Sequence, residues 1–259
     1  MTYLGHATVL IESGGESILT DPVFSNRIAH VFTKRTRPSE FRPEALHGVA
    51  GVLISHAHHD HLDYPSLKRI QPPPRVVVPW GVSVPMGWRG FRDIRVTRAW
   101  ETTRIGRWNV VAVPSRHFGG RLPLLWTSGH LGYVLTGPSC IYFAGDTGLD
   151  ETLFRELGRR FVIDLAILPI AGAVFPWFRP NHMNSEDALL AFDWLGARQM
   201  LPMHFGTFPA SLEPSDAPLQ HLNDGARRRG VSGQVTALPE GGSLTLPPGV
   251  PGSVSRVPA

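Results

Sequence analysis

His56-Ala57-His58-His59-Asp60-His61 concentrates imidazole and carboxylate groups in six consecutive residues and fits the pattern H-x-H-x-D-H. Because residues two apart in an extended segment point the same way, His56 and His58 are expected to converge on one metal ion. A turn after them can aim Asp60 and His61 at a second ion. The stretch therefore predicts a metal site, with His59 in a non-ligand position that faces outward.

Three further candidate ligands follow predicted strands, just as the cluster follows the apolar run 51–55. They are His117 after the strand 110–113, Asp146 after the strand 141–143 and His204 after the strand 199–203. Ligands commonly bind beyond the ends of strands in open sheets, so these side chains are expected to meet at one edge. A chance cluster in a chain with twelve histidines does not explain why each strand leads to a ligand.

The ligand count predicts two ions. One ion takes His56, His58 and His117, the other takes Asp60, His61 and His204, and Asp146 bridges them. Imidazole and carboxylate ligands suit Zn2+ first, with Mn2+ or Fe2+ as alternatives. Structural zinc sites are usually closed by cysteines, and the single cysteine, Cys140, lies in an apolar run that predicts a buried thiol. The set therefore indicates a catalytic centre.

The organisation predicted from the sequence is one domain over residues 1–246 and a flexible tail over 247–259, which is rich in Pro, Gly, Val and Ser. Strands and helices are mixed throughout, and 27 glycines and 24 prolines indicate many loops on a β-rich scaffold. The segment 21–43 is expected to be irregular. Asp150 and Asn184 are expected to cap the helices that follow them.

The charge of +4 and a pI of about 9.7 have two interpretations. A GC-rich genome, which favours arginine codons, explains them, and so does a surface that attracts phosphates or anionic lipid. A solvated basic loop is the preferred interpretation of Arg27, Arg35, Arg37 and Arg42. No signal peptide or membrane-spanning run is recognisable, so we expect a cytoplasmic protein, with peripheral contact at the inner membrane surface as an extension.

The motif set resembles the metallo-β-lactamase superfamily, and more closely its branch of N-acylphosphatidylethanolamine-hydrolysing phospholipase D. The matching stretches are 4–10, 19–25, 53–56, 60–63, 143–148, 182–188 and 203–208. The resemblance implies an αβ/βα four-layer sandwich: two mixed β-sheets flanked by helices, with the metals at one edge between the sheets. The sequence departs from the family at Val174-Phe175, where Tyr-Glu is more usual.

The resemblance also implies a phosphodiesterase in which a hydroxide bridging two ions attacks phosphorus. Asp60, Asp146 and His182 are then the catalytic candidates, with His182 donating a hydrogen bond or a proton to the phosphate. The expected substrate is a small-molecule or lipid phosphodiester. The segment 175–178 is either an apolar lip for an acyl chain or part of the core. His6 and His130 are candidates for hydrogen bonds to the metal ligands, with His6 preferred.

Alternative functions remain open at this level. A lactonase or carboxylic-ester hydrolase, similar to L-ascorbate-6-phosphate lactonase, would use the same metals on a carbonyl carbon. A nuclease ranks last, because no RNA-binding module or basic–aromatic groove is recognisable, and we expect no nucleic-acid partner. A metal-binding protein without catalysis conflicts with the complete ligand set. Relatives form dimers or larger assemblies, so a homo-oligomer is a further expectation.

Overall fold

The chain folds into two six-stranded mixed sheets packed face to face. The computed structural model describes residues 1–28, 33–39, 41–121, 128–172, 176–209 and 214–247, except for the side chains of 176–178. The predicted tail lies outside these residues beyond position 247. The strands are β1 (Thr2–Tyr3), β2 (Val9–Ser13), β3 (Glu16–Thr20), β4 (Arg27–Ile28), β5 (Thr33–Lys34), β6 (Val49–Leu53), β7 (Arg75–Pro79), β8 (Ile94–Thr97), β9 (Thr102–Ile105), β10 (Trp108–Val113), β11 (Gly132–Thr136), β12 (Ile141–Phe143), β13 (Leu165–Pro169) and β14 (Gln199–Met203).

Helices cover the outer faces of both sheets. They are α1 (Tyr64–Arg69), α2 (Ser83–Trp88), α3 (Glu151–Arg160), α4 (Ser185–Leu195) and α5 (Ala217–Arg229), with 3-10 turns at Pro43–Ala45, Pro176–Asn181 and Ser232–Gln234. The predicted caps are confirmed: Asp150 accepts from the Leu153 amide, and Asn184 forms a reciprocal capping box with Asp187. In the described residues no helix is long and apolar enough to cross a bilayer.

Strand direction places the functional ends together. The first sheet has the order β1-β2-β3-β6-β7-β8, and β3, β6, β7 and β8 are parallel. The second has the order β14-β13-β12-β11-β10-β9, with β12, β13 and β14 parallel. Because β10 and β12 both pair antiparallel with β11, β10 also runs in their direction. The ligand-bearing strands of each sheet therefore end at a common edge.

The buried side chains form two hydrophobic clusters that account for the four layers. Val76 and Val78 pack with Leu67 and Met86 of the helices outside the first sheet, whereas the alternate residue Val77 belongs to the larger cluster between the sheets. Both faces of the strand are buried, which explains its continuous apolar run. The second sheet is covered on its outer face by α3, α4 and α5. The predicted αβ/βα four-layer sandwich is confirmed.

One glycine sets how closely the sheets approach. A β-carbon on Gly51 would lie 2.7 Å from a methyl group of Ile105 on the facing sheet. That distance is far below van der Waals contact, so any larger residue would push the sheets apart. The strand that leads into the histidine cluster is thus held tightly against its partner sheet.

Two expectations for the segment 21–43 are corrected by the structure. The segment is not wholly irregular, because β4 and β5 pair as a short hairpin. Arg35 is not part of a solvated basic loop: it is 3% exposed, donates to the Val23 carbonyl over 2.9 Å and forms an ion pair with Glu240 at 3.0 Å. The partner lies 205 residues away, so the local sequence could not reveal this burial.

The helix α2 was not recognised in the sequence. Its six residues contain Pro85 and Gly87, which normally interrupt helices. The fully buried Met86 anchors it against the first sheet, and this packing outweighs the low helix propensity.

Candidate metal centre

All seven predicted ligands lie at one edge of the sheet pair. The cluster that begins at His56 follows β6 in the first sheet. The other three come from the second sheet: His117 follows β10, Asp146 follows β12 and His204 immediately follows β14. One local motif thus faces three single residues that are remote in sequence.

The first group, here called the histidine triad, consists of His56, His58 and His117. The His58 Nδ1 atom lies 2.9 Å from His56 Nε2 and 3.3 Å from His117 Nε2, so three ring nitrogens converge on one point. The opposite nitrogen of His117 donates to the Asn181 carbonyl over 3.0 Å, which orients the ring and frees Nε2. The phenyl ring of Phe118 stacks on His117 with centroids 4.8 Å apart.

The second group, here called the mixed cluster, consists of His6, Asp60, His61 and His204. Ligand atoms of these four residues lie within 4.8 Å of one another. The Asp60 Oδ2 atom is 3.1 Å from His6 Nε2, 3.4 Å from His204 Nε2 and 3.7 Å from His61 Nε2. His6, a candidate outer partner in the sequence, therefore contacts the carboxylate of Asp60, and its ring packs on His204 at 4.1 Å.

Asp146 lies between the two groups. Its Oδ2 atom is 3.3 Å from His61 Nε2 and 3.2 Å from His204 Nε2. It also belongs to a third set of converging ligand atoms, with His117 and His182. A side chain in this position can offer one oxygen to each of two ions.

The approach of Asp146 depends on the residue before it. Gly145 has φ +61°, and a β-carbon there would lie 2.5 Å from the Ser55 side chain. Only glycine tolerates both the left-handed backbone and this contact. The sequence Ala144-Gly145-Asp146 therefore turns sharply after β12 and directs the carboxylate inward.

Asp21 is a site residue that the sequence reasoning missed. It is fully buried, and its Oδ2 atom lies 2.7 Å from His61 Nδ1, while its Oδ1 accepts from the Ser55 amide over 2.7 Å. A carboxylate behind an imidazole fixes its tautomer and leaves Nε2 free for a metal. The available signal was a carboxylate directly after the strand β3, next to the strand that carries the cluster.

Backbone strain is concentrated at this centre. Among the described non-glycine residues, four have positive φ: His6 (55°), Asp21 (31°), His204 (62°) and Trp100 (71°). His6 and His204 belong to the mixed cluster, and Asp21 contacts it through His61. Such conformations are costly for L-residues and persist where surrounding contacts enforce them, which is typical of functional sites.

The two groups differ in electrostatics. Burial lowers the pKa of His117 to about 3, lowers that of His58 and places that of His56 well below its usual value. Burial acts the same way on His204, but the neighbouring Asp146 and Asp60 outweigh it and raise the pKa to about 9. The same carboxylates raise the pKa of His61 well above 6.5 against the effect of burial. The triad is thus neutral, whereas Asp60, His61 and His204 of the mixed cluster are charged and only His6, whose pKa burial lowers to about 3, is neutral there.

The donor set fits divalent metal ions. In the part of the chain that the structure describes, Asp146 Oδ1 is buried without a hydrogen-bond partner, and His61 Nε2 and His204 Nε2 are buried with only ion-pair contacts to Asp146 Oδ2, at 3.3 and 3.2 Å. Such atoms are costly unless something binds them, and buried charges are commonly paired or coordinate metals. Metal coordination by the seven residues remains a prediction that the geometry makes chemically reasonable.

The other candidates take different places. His182, which is 11% exposed, has its Nδ1 3.7 Å from Asp146 Oδ2, at the rim of the centre. His130 lies 3.2 Å from the Ser115 hydroxyl, and its ring centroid is 6.2 Å from that of His117. The predicted lip at 175–178 lies outside the described residues and side chains.

Comparison with known proteins agrees with this geometry. Residues 16–205 match the Beta-lactamase superfamily domain. The chain belongs to the metallo-β-lactamase superfamily. Within this superfamily it is 31% identical to N-acyl-phosphatidylethanolamine-hydrolyzing phospholipase D 1 of Caenorhabditis elegans, over 86% of this chain and 69% of that protein.

Two further comparisons support the superfamily assignment. A metal-dependent hydrolase of Exiguobacterium is 31% identical over 89% of this chain and 95% of its own length. The crystal structure of isothiocyanate hydrolase from Delia radicum gut bacteria shares the fold, with a TM-score of 0.76, 19% identity and coverage of 95% and 98% of the two chains. This member of the metallo-β-lactamase superfamily is therefore a metal-dependent hydrolase.

Proposed function

We propose that this metal-dependent hydrolase is a binuclear phosphodiesterase of the phospholipase D type. The observation that carries the proposal is the joining of the triad and the mixed cluster through Asp146, which provides for two ions at one centre. The Caenorhabditis elegans relative, named for hydrolysis of N-acyl-phosphatidylethanolamine, supplies the substrate class. Zn2+ is the proposed metal, with Mn2+ or Fe2+ as alternatives, because the donors are imidazoles and carboxylates.

The reaction adds water to phosphorus, breaks the bond to the leaving alcohol and yields a phosphomonoester. Two divalent cations, when bound, would lower the pKa of a coordinated water and neutralise charge on the phosphoryl oxygens. The residues of the chain supply the frame: Asp146 keeps the two groups together, and Asp60 and Asp146 add negative charge that balances the cations.

His182 is proposed to act on the substrate from the rim. Burial lowers the pKa of His182, partly opposed by the charge of Asp146, so the ring is neutral near pH 7. A neutral ring still has one N–H that can donate to a phosphoryl oxygen or the departing oxygen. Its position beside two candidate ligands favours this role. Its Nδ1 atom lies 3.7 Å from Asp146 Oδ2, and its ring centroid lies 4.8 Å from that of His117.

The substrate proposal is tested with a panel of esters. The purified protein, with its metal content measured by mass spectrometry, is assayed on bis-p-nitrophenyl phosphate, on vesicles containing N-acylphosphatidylethanolamine, and on lactones and p-nitrophenyl esters. We expect about two metals per chain and cleavage of the phosphodiesters. Turnover of only the lactones or carboxylic esters would contradict the proposal and favour the lactonase alternative.

The role of His182 is tested by His182→Ala. Loss of a positioned proton donor should lower kcat by roughly 10²–10⁴-fold. His130→Ala is the matched control, because this half-buried histidine lies beside the triad but bonds to Ser115 and not to a candidate ligand. Wild-type turnover in His182→Ala would refute the role, and loss of a metal from this variant would make His182 a ligand instead.

A further inference from the structure

Arg121 lies four residues beyond His117, and its side chain reaches across to the loop 58–61, which carries three of the candidate ligands. Its Nε–H donates to the Ala57 carbonyl over 2.7 Å, and an Nη2–H donates to the Leu62 carbonyl. These two carbonyls stand on either side of the segment 58–61. A single guanidinium therefore joins both ends of the ligand-bearing loop.

The two carbonyls need this donor. Within the loop, the amides of His61 and Leu62 both donate to the His58 carbonyl, at 3.1 and 2.9 Å. Ala57 and Leu62 are fully buried, and a buried carbonyl without a donor costs free energy. The planar fork of an arginine can serve two acceptors at once, which a lysine ammonium cannot do with the same geometry.

Tyr64, the first residue of α1, holds the guanidinium in place. The Arg121 Cζ atom lies 4.7 Å from the centroid of the Tyr64 ring, which is 8% exposed. A second guanidinium, that of Arg89, lies 4.4 Å from the same ring but donates to the Pro85 carbonyl over 3.0 Å. Of these two, Arg121 alone reaches the ligand-bearing loop.

We propose that Arg121 is a positioning residue of the metal centre. It fixes the backbone that aims His58, Asp60 and His61, and it ties this loop to the segment that carries His117. It acts through carbonyl groups and touches no candidate ligand atom. The inference rests on the metal-binding role of the loop and is independent of which ester is hydrolysed.

The proposal predicts which properties change when the guanidinium is removed. The loop carries ligands of the triad and of the mixed cluster, so its relaxation should weaken both metals together. A group that only stabilised the fold would instead lower the unfolding temperature and leave the metal affinity of the folded protein unchanged.

The experiment compares Arg121→Met with the matched control Arg89→Met, which removes a guanidinium from the same Tyr64 ring. Metal affinity is measured by competition with a chromophoric chelator, ligand geometry by the visible spectrum of the Co2+-loaded protein, and stability by thermal unfolding of the metal-free protein. We expect Arg121→Met to weaken both metals by about tenfold or more and to alter the Co2+ spectrum, as loss of an outer partner does. Arg89→Met should leave both at wild-type values.

A second variant, Arg121→Lys, keeps the charge and decides the matter if Arg121→Met does not fold. It should show an intermediate loss of affinity, because an ammonium can serve one carbonyl well but not both. Wild-type affinity and spectrum in either folded Arg121 variant would overturn the proposal, as would an equal loss in Arg89→Met. If the wild-type protein binds no metal, the metal centre itself is refuted. This outcome is distinct from one in which the wild-type protein binds metal and the Arg121 variants bind it equally well.

Discussion

The histidine triad and the mixed cluster lie side by side but are built differently. The triad consists of three neutral imidazoles, with His58 half-buried and Phe118, which is 43% exposed, stacked at its edge. The mixed cluster includes the carboxylate of Asp60 and is supported from behind by the fully buried Asp21. The triad therefore depends on convergence of its rings, whereas the mixed cluster depends on a network of charges.

Under the proposed binuclear function, the difference implies that the two metals would respond to different changes. An ion in the mixed cluster would gain from negative charge and from imidazoles that are locked by hydrogen bonds. An ion in the triad would gain from exclusion of water by the aromatic ring of Phe118 beside it. Substitutions that act on one group, on the other or on both can separate these contributions.

The largest effect is expected from Asp146→Ala, because this residue contacts His61 and His204 of the mixed cluster and has a carboxylate oxygen within 4.8 Å of a ring nitrogen of His117 in the triad. Removal of an outer partner costs roughly 10–100-fold in metal affinity, and removal of a direct ligand should cost more than that. We expect loss of both metals and of hydrolysis, measured by mass spectrometry and turnover. The control is Asp164→Asn. Asp164 is a buried aspartate that accepts hydrogen bonds from the Cys140 amide and Arg198, so this variant should bind metal as the wild type does. Retention of two metals by Asp146→Ala would show that the groups are independent.

A smaller and selective effect is expected from Asp21→Asn. The amide keeps the size of the side chain but loses the charge that fixes His61, so the affinity of the mixed cluster should fall by roughly 10–100-fold. A stepwise chelator titration should then show a large loss of affinity at the mixed cluster and a smaller one at the triad, which Asp21 reaches only through the Ser55 hydroxyl beside His56 Nδ1. Asp150→Asn is the matched control, since asparagine also caps helices well. Equal weakening of both sites would contradict the division into two groups.

The smallest effect is expected from Phe118→Ala. Aromatic pairs contribute about 0.5–1.5 kcal/mol beyond area burial, which corresponds to at most about a tenfold loss of affinity at the triad. The mixed cluster should be unaffected in the same titration. Cys140 provides the folding control, because burial raises the pKa of this thiol to about 12 and a native fold should protect it from maleimide. A triad that binds as tightly without the ring would show that shielding by Phe118 is unimportant.

The sequence was sufficient for features that are local or that recur at strand ends. The pattern from His56 to His61 and the strand-end positions of His117, Asp146 and His204 allowed their meeting to be predicted. Helix caps at Asp150 and Asn184 were equally accessible, because a cap is defined by residues three apart. These signals depend on short-range geometry that every extended or helical segment shares.

Contacts between distant segments could not be predicted. Asp21 reaches His61 across 40 residues and His6 reaches Asp60 across 54, and neither pairing has a local pattern. Arg35 was assigned to solvent because arginines in basic loops are usually exposed, whereas contacts with the distant Glu240 and Phe208 bury it. The hydrogen bonds of Arg121 could not be predicted for the same reason. They join a side chain to backbone carbonyl groups, and every residue has a carbonyl group whatever its side chain.

The division of the ligands between the sheets has a consequence for folding. The strands of the first sheet end at residue 97 and those of the second begin at residue 102, so a bound ion would cross-link two successive parts of the polypeptide. Ligands that bind only the folded chain stabilise it by mass action, by about 2.7 kcal/mol at a free concentration 100 times Kd. The melting temperature should then rise with the concentration of free metal, and the hydrolytic centre would also stabilise the packing of one sheet on the other.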